Sequence, residues 1–191
     1  MLATLKDWLV TFWRVIFVPT PATFRAEAGK ASGKFASAAD WLVFYAVYLY
    51  VATDLVLGPV TLVLLLMAVI LVPLAVILFT SAMSFMVRRL AHRKEYVYDK
   101  MLYLTVAILV PLQFVFVQAV LALPGTIAFV VSYCLLLYQV TLLTIALKTI
   151  TNIKYWQALT SVVLAMVATI LVCGMVALLI YSTIAAPLVA K

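Results

Sequence analysis

The chain has 191 residues, 69% of them hydrophobic and only 10% charged, with a formal net charge of +7. A soluble domain carries about 45–50% apolar and about 25% charged residues, so water cannot be the solvent for most of these side chains and lipid must be. Twelve of the thirteen Lys and Arg lie in three clusters between apolar runs, which assigns them to topology and anionic lipid headgroups rather than to nucleic acid.

Met1 to Val18 is expected to form an amphipathic helix lying in the membrane interface. Thr4, Asp7, Thr11 and Arg14 recur at helical spacing on one face, while Trp8, Trp13 and their apolar neighbours cover the rest. Tryptophans favour headgroup depth, and a span would carry Arg14 into hydrocarbon. Lys6, Asp7 and Arg14 interrupt the apolar stretch and no small-residue cleavage site follows, so it is not read as a cleavable signal. Pro19 and Pro21 end this helix. Thr20 to Asp40, with Arg25, Lys30 and Lys34 opposed by Glu27 and Asp40, reads as a mobile linker or weak helix in the cytoplasm.

From Trp41 to Val87 a single charge, Asp54, interrupts an apolar run. Asp54, Gly58 and Pro59 mark an outer turn, which gives spans near 38–57 and 60–86, the second kinked at Pro73. Arg88 to Lys100 is the main cytoplasmic loop. Met101 to Leu147 then holds no Asp, Glu, Lys, Arg or His. As one helix it would reach roughly 70 Å against a hydrocarbon core of about 30 Å, so it is two spans. These lie near 101–122 and 126–147, with Pro124-Gly125 at the turn. After Lys148 to Lys154 the chain re-enters as a fifth span near 158–183. Ala165, Ala168, Cys173, Gly174 and Ala177 would let a neighbouring helix come close to it.

The predicted fold class is therefore an all-α integral membrane protein, with five transmembrane helices preceded by an N-terminal interfacial amphipathic helix. Residues 1–40 form the cytoplasmic helix and linker, and residues 41–191 the membrane domain. The three basic clusters fall on one side and only Lys191 on the other. The positive-inside rule then puts the N-terminus in the cytoplasm, the C-terminus outside, and the chain in the cytoplasmic (inner) membrane.

Catalysis needs a placed nucleophile, a base or a metal, and no such constellation is legible. His92, the single histidine, sits among Arg and Lys as a solvated loop residue, and the six carboxylates are scattered. Asp54, near the outer turn, reads as a turn residue rather than a transport site. Cys134 and Cys173 lack a second Cys or His at ligand spacing and read as packing residues. No enzyme activity, metal or cofactor is expected. Polar neutral residues do occur within the spans, and Gln113, Gln118 and Gln139 are the candidate intramembrane contacts, as interhelical hydrogen bonds or a polar ligand path. The aromatic stretch Phe44 to Tyr50 could pack on a partner helix or on lipid. Arg88, Arg89, Arg93 and Lys94, together with Trp8 and Trp13, form the candidate cytoplasmic contact face.

Three segments of the chain resemble the Ypt-interacting-protein (Yip) domain family in its bacterial, five-span form. Pro21-Ala22-Thr23-Phe24-Arg25 before span one is similar to the family's proline-x-x-Phe entry. Arg89-Leu90 through Tyr96 leads into span three, with Pro111 at the family's mid-helix proline. Leu137-Tyr138-Gln139-Val140-Thr141 through Lys148, followed by Tyr155-Trp156-Gln157-Ala158-Leu159, looks like the exit of span four and the start of span five. Ala91-His92-Arg93 stands where a glycine pair is usual, and Ala146 where a glycine is common. The resemblance implies a five-span fold with a cytoplasmic N-terminus. Eukaryotic relatives act in membrane traffic and engage small GTPases through that side, and no catalytic residues carry over.

The expected function is that of a non-enzymatic membrane protein that binds or organises other membrane components. Its partners would be anionic lipid headgroups and other integral membrane proteins. The alternative is an accessory structural subunit of a respiratory, photosynthetic or transport complex. A small transporter or channel ranks below both, because the spans offer little polar lining.

Overall fold

The computed structural model describes residues 2–31, 45, 47, 48, 51, 62–91 and 98–180. Among them the protein is all-helical: α1 Leu2–Phe17, α2 Pro21–Ala28, α3 Leu62–Ala91, α4 Tyr98–Ala122, α5 Gly125–Thr151 and α6 Tyr155–Ile180. The last four are each long and apolar enough to cross a membrane. Of the first expected span, near 38–57, the described residues Tyr45, Val47, Tyr48 and Val51 are helical. Asp54, the Gly58-Pro59 turn, His92, Arg93, Lys94 and the C-terminal residue Lys191 lie outside the described residues.

Three of the four long helices run past the boundary that charge alone set for them. α3 continues through Arg88 and Arg89, α4 begins before Asp99 and Lys100, and α5 carries Lys148 in its last turn. Cations at a helix C-terminus and an acid at an N-terminus complement the helix dipole, and long basic side chains carry their charge beyond the apolar stem. Arg88, Arg89, Asp99, Lys100 and Lys148 are therefore helix ends rather than loop residues. α5 stops at Asn152, whose left-handed conformation (φ 53°, ψ 38°) lets its N–H reach the carbonyl of Lys148. Asn tolerates that conformation better than other side chains do. Pro73 and Pro111 lie inside continuous helices.

α3 packs most extensively on α6, and α4 on α5. The buried residues of α6, Ala158, Ser161, Val162 and Ala165, recur at three, one and three along one stripe in its first half. The expected small-residue approach is thus met at Ala165 but not at Gly174, where nothing lies within 4 Å of the position a Cβ would take. The far half of α6 is apolar and exposed, with Ile170, Leu171, Met175 and Leu178 facing outward. One clamp ties the α3–α6 pair together. Gln157 accepts from the Lys154 N–H at 3.2 Å, and its amide donates to the Leu90 carbonyl at 3.0 Å. A single side chain so satisfies an orphan donor at the start of α6 and an orphan acceptor at the end of α3.

The N-terminal segment sharpens one expectation, choosing the helix over the mobile linker, and corrects another. The linker contains a packed helix, because Thr20 caps α2 by accepting from the Thr23 N–H while Pro21 takes its first turn. Phe24, Glu27 and Ala28 of α2 are buried. Trp8, expected on the contact face, is instead a core residue at 0% exposure, stacked on Phe12 and on Tyr103 with ring centroids 5.3 and 5.0 Å away. The physical reason is its register: Trp8, Thr11, Phe12 and Val15 share the stripe that faces α4, which leaves Leu9, Trp13 and Phe17 outside. From Trp8 beside Tyr103, α1 runs along α4 until Phe17 shares an apolar groove of about 450 Å³ with Pro111, Val115 and Tyr138. The Tyr138 hydroxyl donates to the Ile16 carbonyl there.

Trp8→Ala should lower stability by about 3–5 kcal/mol, the usual cost of truncating a buried aromatic. Trp13→Ala, at 61% exposure, should change it by less than about 0.5 kcal/mol. Unfolding in mild detergent measures both.

Candidate functional site

Two polar assemblies and one basic helix end carry what chemistry the described residues offer. The first assembly is centred on Glu27, which the sequence offered only as a counter-charge in a linker. Its carboxylate is 1% exposed and accepts from Lys30 Nζ at 2.7 and 2.8 Å and from the Thr11 hydroxyl at 3.0 Å. Arg14 lies 3.5 Å away. Because the Thr11 proton points at Glu27, Tyr103 is the donor in the 3.3 Å bond between the two hydroxyls. A relay from α4 through α1 to α2 results, each bond polarising the next. The cations are only half withdrawn, Lys30 at 41% and Arg14 at 55% exposure, so the acid is desolvated while its partners keep contact with solvent. A buried carboxylate is tolerable only with such pairing.

The second assembly gathers the three glutamines that the sequence singled out. Gln113 of α4 donates to Gln139 of α5 at 3.4 Å and accepts from the Tyr45 hydroxyl at 3.5 Å. Gln118 donates to the Tyr48 hydroxyl at 2.6 Å. Tyr45 and Tyr48 also flank the Phe114 ring at 5.7 and 4.2 Å. Tyr45 and Tyr48 of the aromatic stretch thus pack on α4 through both rings and hydroxyls. Gln139, buried, forms part of the wall of two cavities. One, of about 150 Å³, is framed by Phe79, Leu109, Met166 and Thr169; the other, of about 290 Å³, by Gln113, Phe116, Ser132 and Tyr133. Amides and hydroxyls of this kind hold a polar neutral group by hydrogen bonds.

Arg88 and Arg89 sit exposed on the last turn of α3, with the Arg89 guanidinium 5.4 Å above the Phe85 ring. Lys100, Lys148 and Lys154 lie exposed at the same end of the neighbouring helices, whereas the Ala122–Gly125 connection at the opposite end has no charge. Of the candidate contact residues, then, Arg88, Arg89 and Trp13 are exposed and Trp8 is not. Glu27 and Thr11 escaped sequence reasoning. The available signal was Thr11 on a polar stripe that had no stated partner, and a lone acid six residues from α2's start. No group of three His, Cys, Asp or Glu side chains is arranged to hold a metal among the described residues. No protein-family model, curated protein or solved structure matches the chain.

Glu27→Ala should destabilise the protein by about 1–3 kcal/mol, because it leaves the buried Thr11 hydroxyl without its acceptor while Lys30 and Arg14 turn to solvent. Glu27→Gln, which keeps shape and some hydrogen bonds, should cost less. Equal losses in a thermal melt would show that the charge contributes nothing.

Proposed function

We propose that the chain is a non-enzymatic multi-pass protein of the inner membrane, which binds and organises other membrane components through its charged end. The observation that carries this reading is the gathering of Arg88, Arg89, Lys100, Lys148 and Lys154 at one end of four apolar helices. Such an end faces the cytoplasm under the positive-inside rule, and at headgroup depth it attracts anionic lipid at about 1 kcal/mol for each Lys or Arg. With the helix around Tyr45 to Val51 as a first crossing, the spans number five, the N-terminus is cytoplasmic and the C-terminus outside. That arrangement is also the one the Yip resemblance implies. The exposed apolar half of α6 offers lipid or a neighbouring integral membrane protein a flat, uncharged face.

α1 and α2 form a hairpin in this reading, pressed against α4 and α5 from within the cytoplasmic leaflet. Support comes from the depth of its contacts: Phe17 reaches Pro111 and Tyr138, near the middle of helices that begin at Tyr98 and end at Thr151. An interfacial helix lying flat would cross only the helix ends. Leu9, Trp13 and Phe17 then face acyl chains, while Lys6, Asp7 and Arg14 point toward headgroups.

Replacing Arg88, Arg89, Arg93 and Lys94 with Gln should reduce by severalfold the anionic lipid that stays with the protein through mild-detergent purification. Lipid retention at the wild-type level would defeat the proposal; orientation is checked in parallel by protease access to an N-terminal tag, since the same charges set topology. In a background free of Cys134 and Cys173, Val18→Cys at the hairpin turn should resist a membrane-impermeant thiol reagent that labels Lys6→Cys. Equal labelling would favour a helix lying flat.

A further inference from the structure

Seven hydroxyls of the long helices follow a rule that two others break, one of them at an informative place. Thr80, Ser132, Thr141, Thr144, Thr151, Ser161 and Thr169 each donate to the carbonyl four residues back, at 2.6–2.8 Å. This is the default for a hydroxyl in a helix with no better partner. Ser84 and Thr105 are buried and make no hydrogen bond at all. Thr105 is fully enclosed, at 0% exposure. Ser84, at 7%, lines an open cavity of about 250 Å³ together with Ser81, Phe85 and Arg88 of α3 and Tyr98 of α4.

Ser81, Ser84 and Arg88 recur at three and four on one face of α3, so hydroxyls and guanidinium look into the same space. Leaving a buried donor unpaired costs free energy that back-bonding to the Thr80 carbonyl would avoid. A ligand that accepts the Ser84 proton recovers that cost. The surroundings define its chemistry: one permanent cation with a planar fork of N–H donors, and three hydroxyls, with no carboxylate among the described residues that line it. Such a set matches a tetrahedral oxyanion, and above all a phosphate. A guanidinium has five N–H donors, so Arg88 serves a phosphate while keeping a protein partner.

We propose that this cavity between the end of α3 and the start of α4 is a stereospecific phosphate-binding site, and that it takes the phosphate of a membrane phospholipid. Arg88 supplies the charge and bidentate geometry, and Ser84 the donor that distinguishes a fitted headgroup from diffuse attraction. The lipid source follows from position. Arg88 stands one turn from the end of a membrane-length helix, and Phe85 and Ile77 stand exposed on α3 toward its apolar centre, where an acyl chain would run. The site rests on the membrane-contact reading above, since the end of α3 must lie at headgroup depth.

The test is native mass spectrometry of the full chain in neutral detergent, titrated with phosphatidylglycerol, phosphatidic acid and, separately, inorganic phosphate. Ser84→Ala and Arg88→Lys leave the diffuse field intact, one by changing no charge and the other by preserving it. Each should weaken binding of a first phospholipid by about tenfold, the effect of losing one charge-assisted hydrogen bond. Without lipid, Ser84→Ala should melt no lower than the wild type, because it removes an unsatisfied hydroxyl. If both variants bind phospholipid as the wild type does, while Gln at positions 89, 93 and 94 weakens it, the fitted site is refuted and the broader contact reading stands. If none of these variants changes retention, both fall. Displacement of the lipid by millimolar inorganic phosphate would overturn the assignment to a phospholipid.

Discussion

The arrangement of α1 and α2 depends on one desolvated carboxylate. Glu27 cannot remain buried without Thr11, Lys30 and Arg14 around it, and Thr11 in turn is held by Tyr103. That requirement draws α1, α2 and α4 to a common point and decides which stripe of α1 faces inward. Trp8 and Phe12 then fall into the core, and the groove beside Phe17 follows from the direction α1 is obliged to take. Apolar packing alone would not choose this register, because α1 is apolar on most of its circumference. A buried ion pair does, since its misplacement by one residue leaves charge unpaired in a low dielectric.

The same logic recurs in weaker form deeper in the bundle. Between apolar helices in lipid no hydrophobic force favours one rotation over another, so polar pairs set the relative register. Gln113 with Gln139 aligns α4 to α5, and Gln118 with Tyr48 aligns α4 to the helical residues Tyr45, Val47 and Tyr48. At the charged end, Gln157 does comparable work between α3 and α6 by joining two helix termini rather than two helix faces. Small residues complete the job where backbones approach, which on α6 is the stripe from Ala158 to Ala165.

Much of this architecture was legible in the residues, and the limits of that legibility are physical. The lengths of the charge-free runs against the thickness of a bilayer located four of the long helices to within a few residues. Their true ends lie further out, because Arg88, Arg89 and Lys148 are stable within a last turn. Helical spacing in α1 correctly grouped Thr11 with Arg14, yet periodicity identifies a face without saying what it meets. In a soluble helix the polar stripe faces water. Here it faces a buried acid, and Trp8 went from expected contact to core with it. The glutamines were singled out because polarity in a span is conspicuous, whereas their pairing is a tertiary fact. Ser84 gave no sequence signal, since its distinction is a hydrogen bond it does not make.

The Glu27 assembly also has a consequence for synthesis. Its α1 and α2 members are translated 76 residues before Tyr103, the hydroxyl that completes the relay. At about 5–20 residues per second the ribosome takes roughly 4–15 s to cover that distance. Throughout that interval the hairpin has no α4 or α5 to lie against, and Trp8 and Phe12 have no core to enter. The α1–α2 hairpin is therefore slower to settle than its early place in the chain suggests, and it waits until α4 has been delivered to the bilayer.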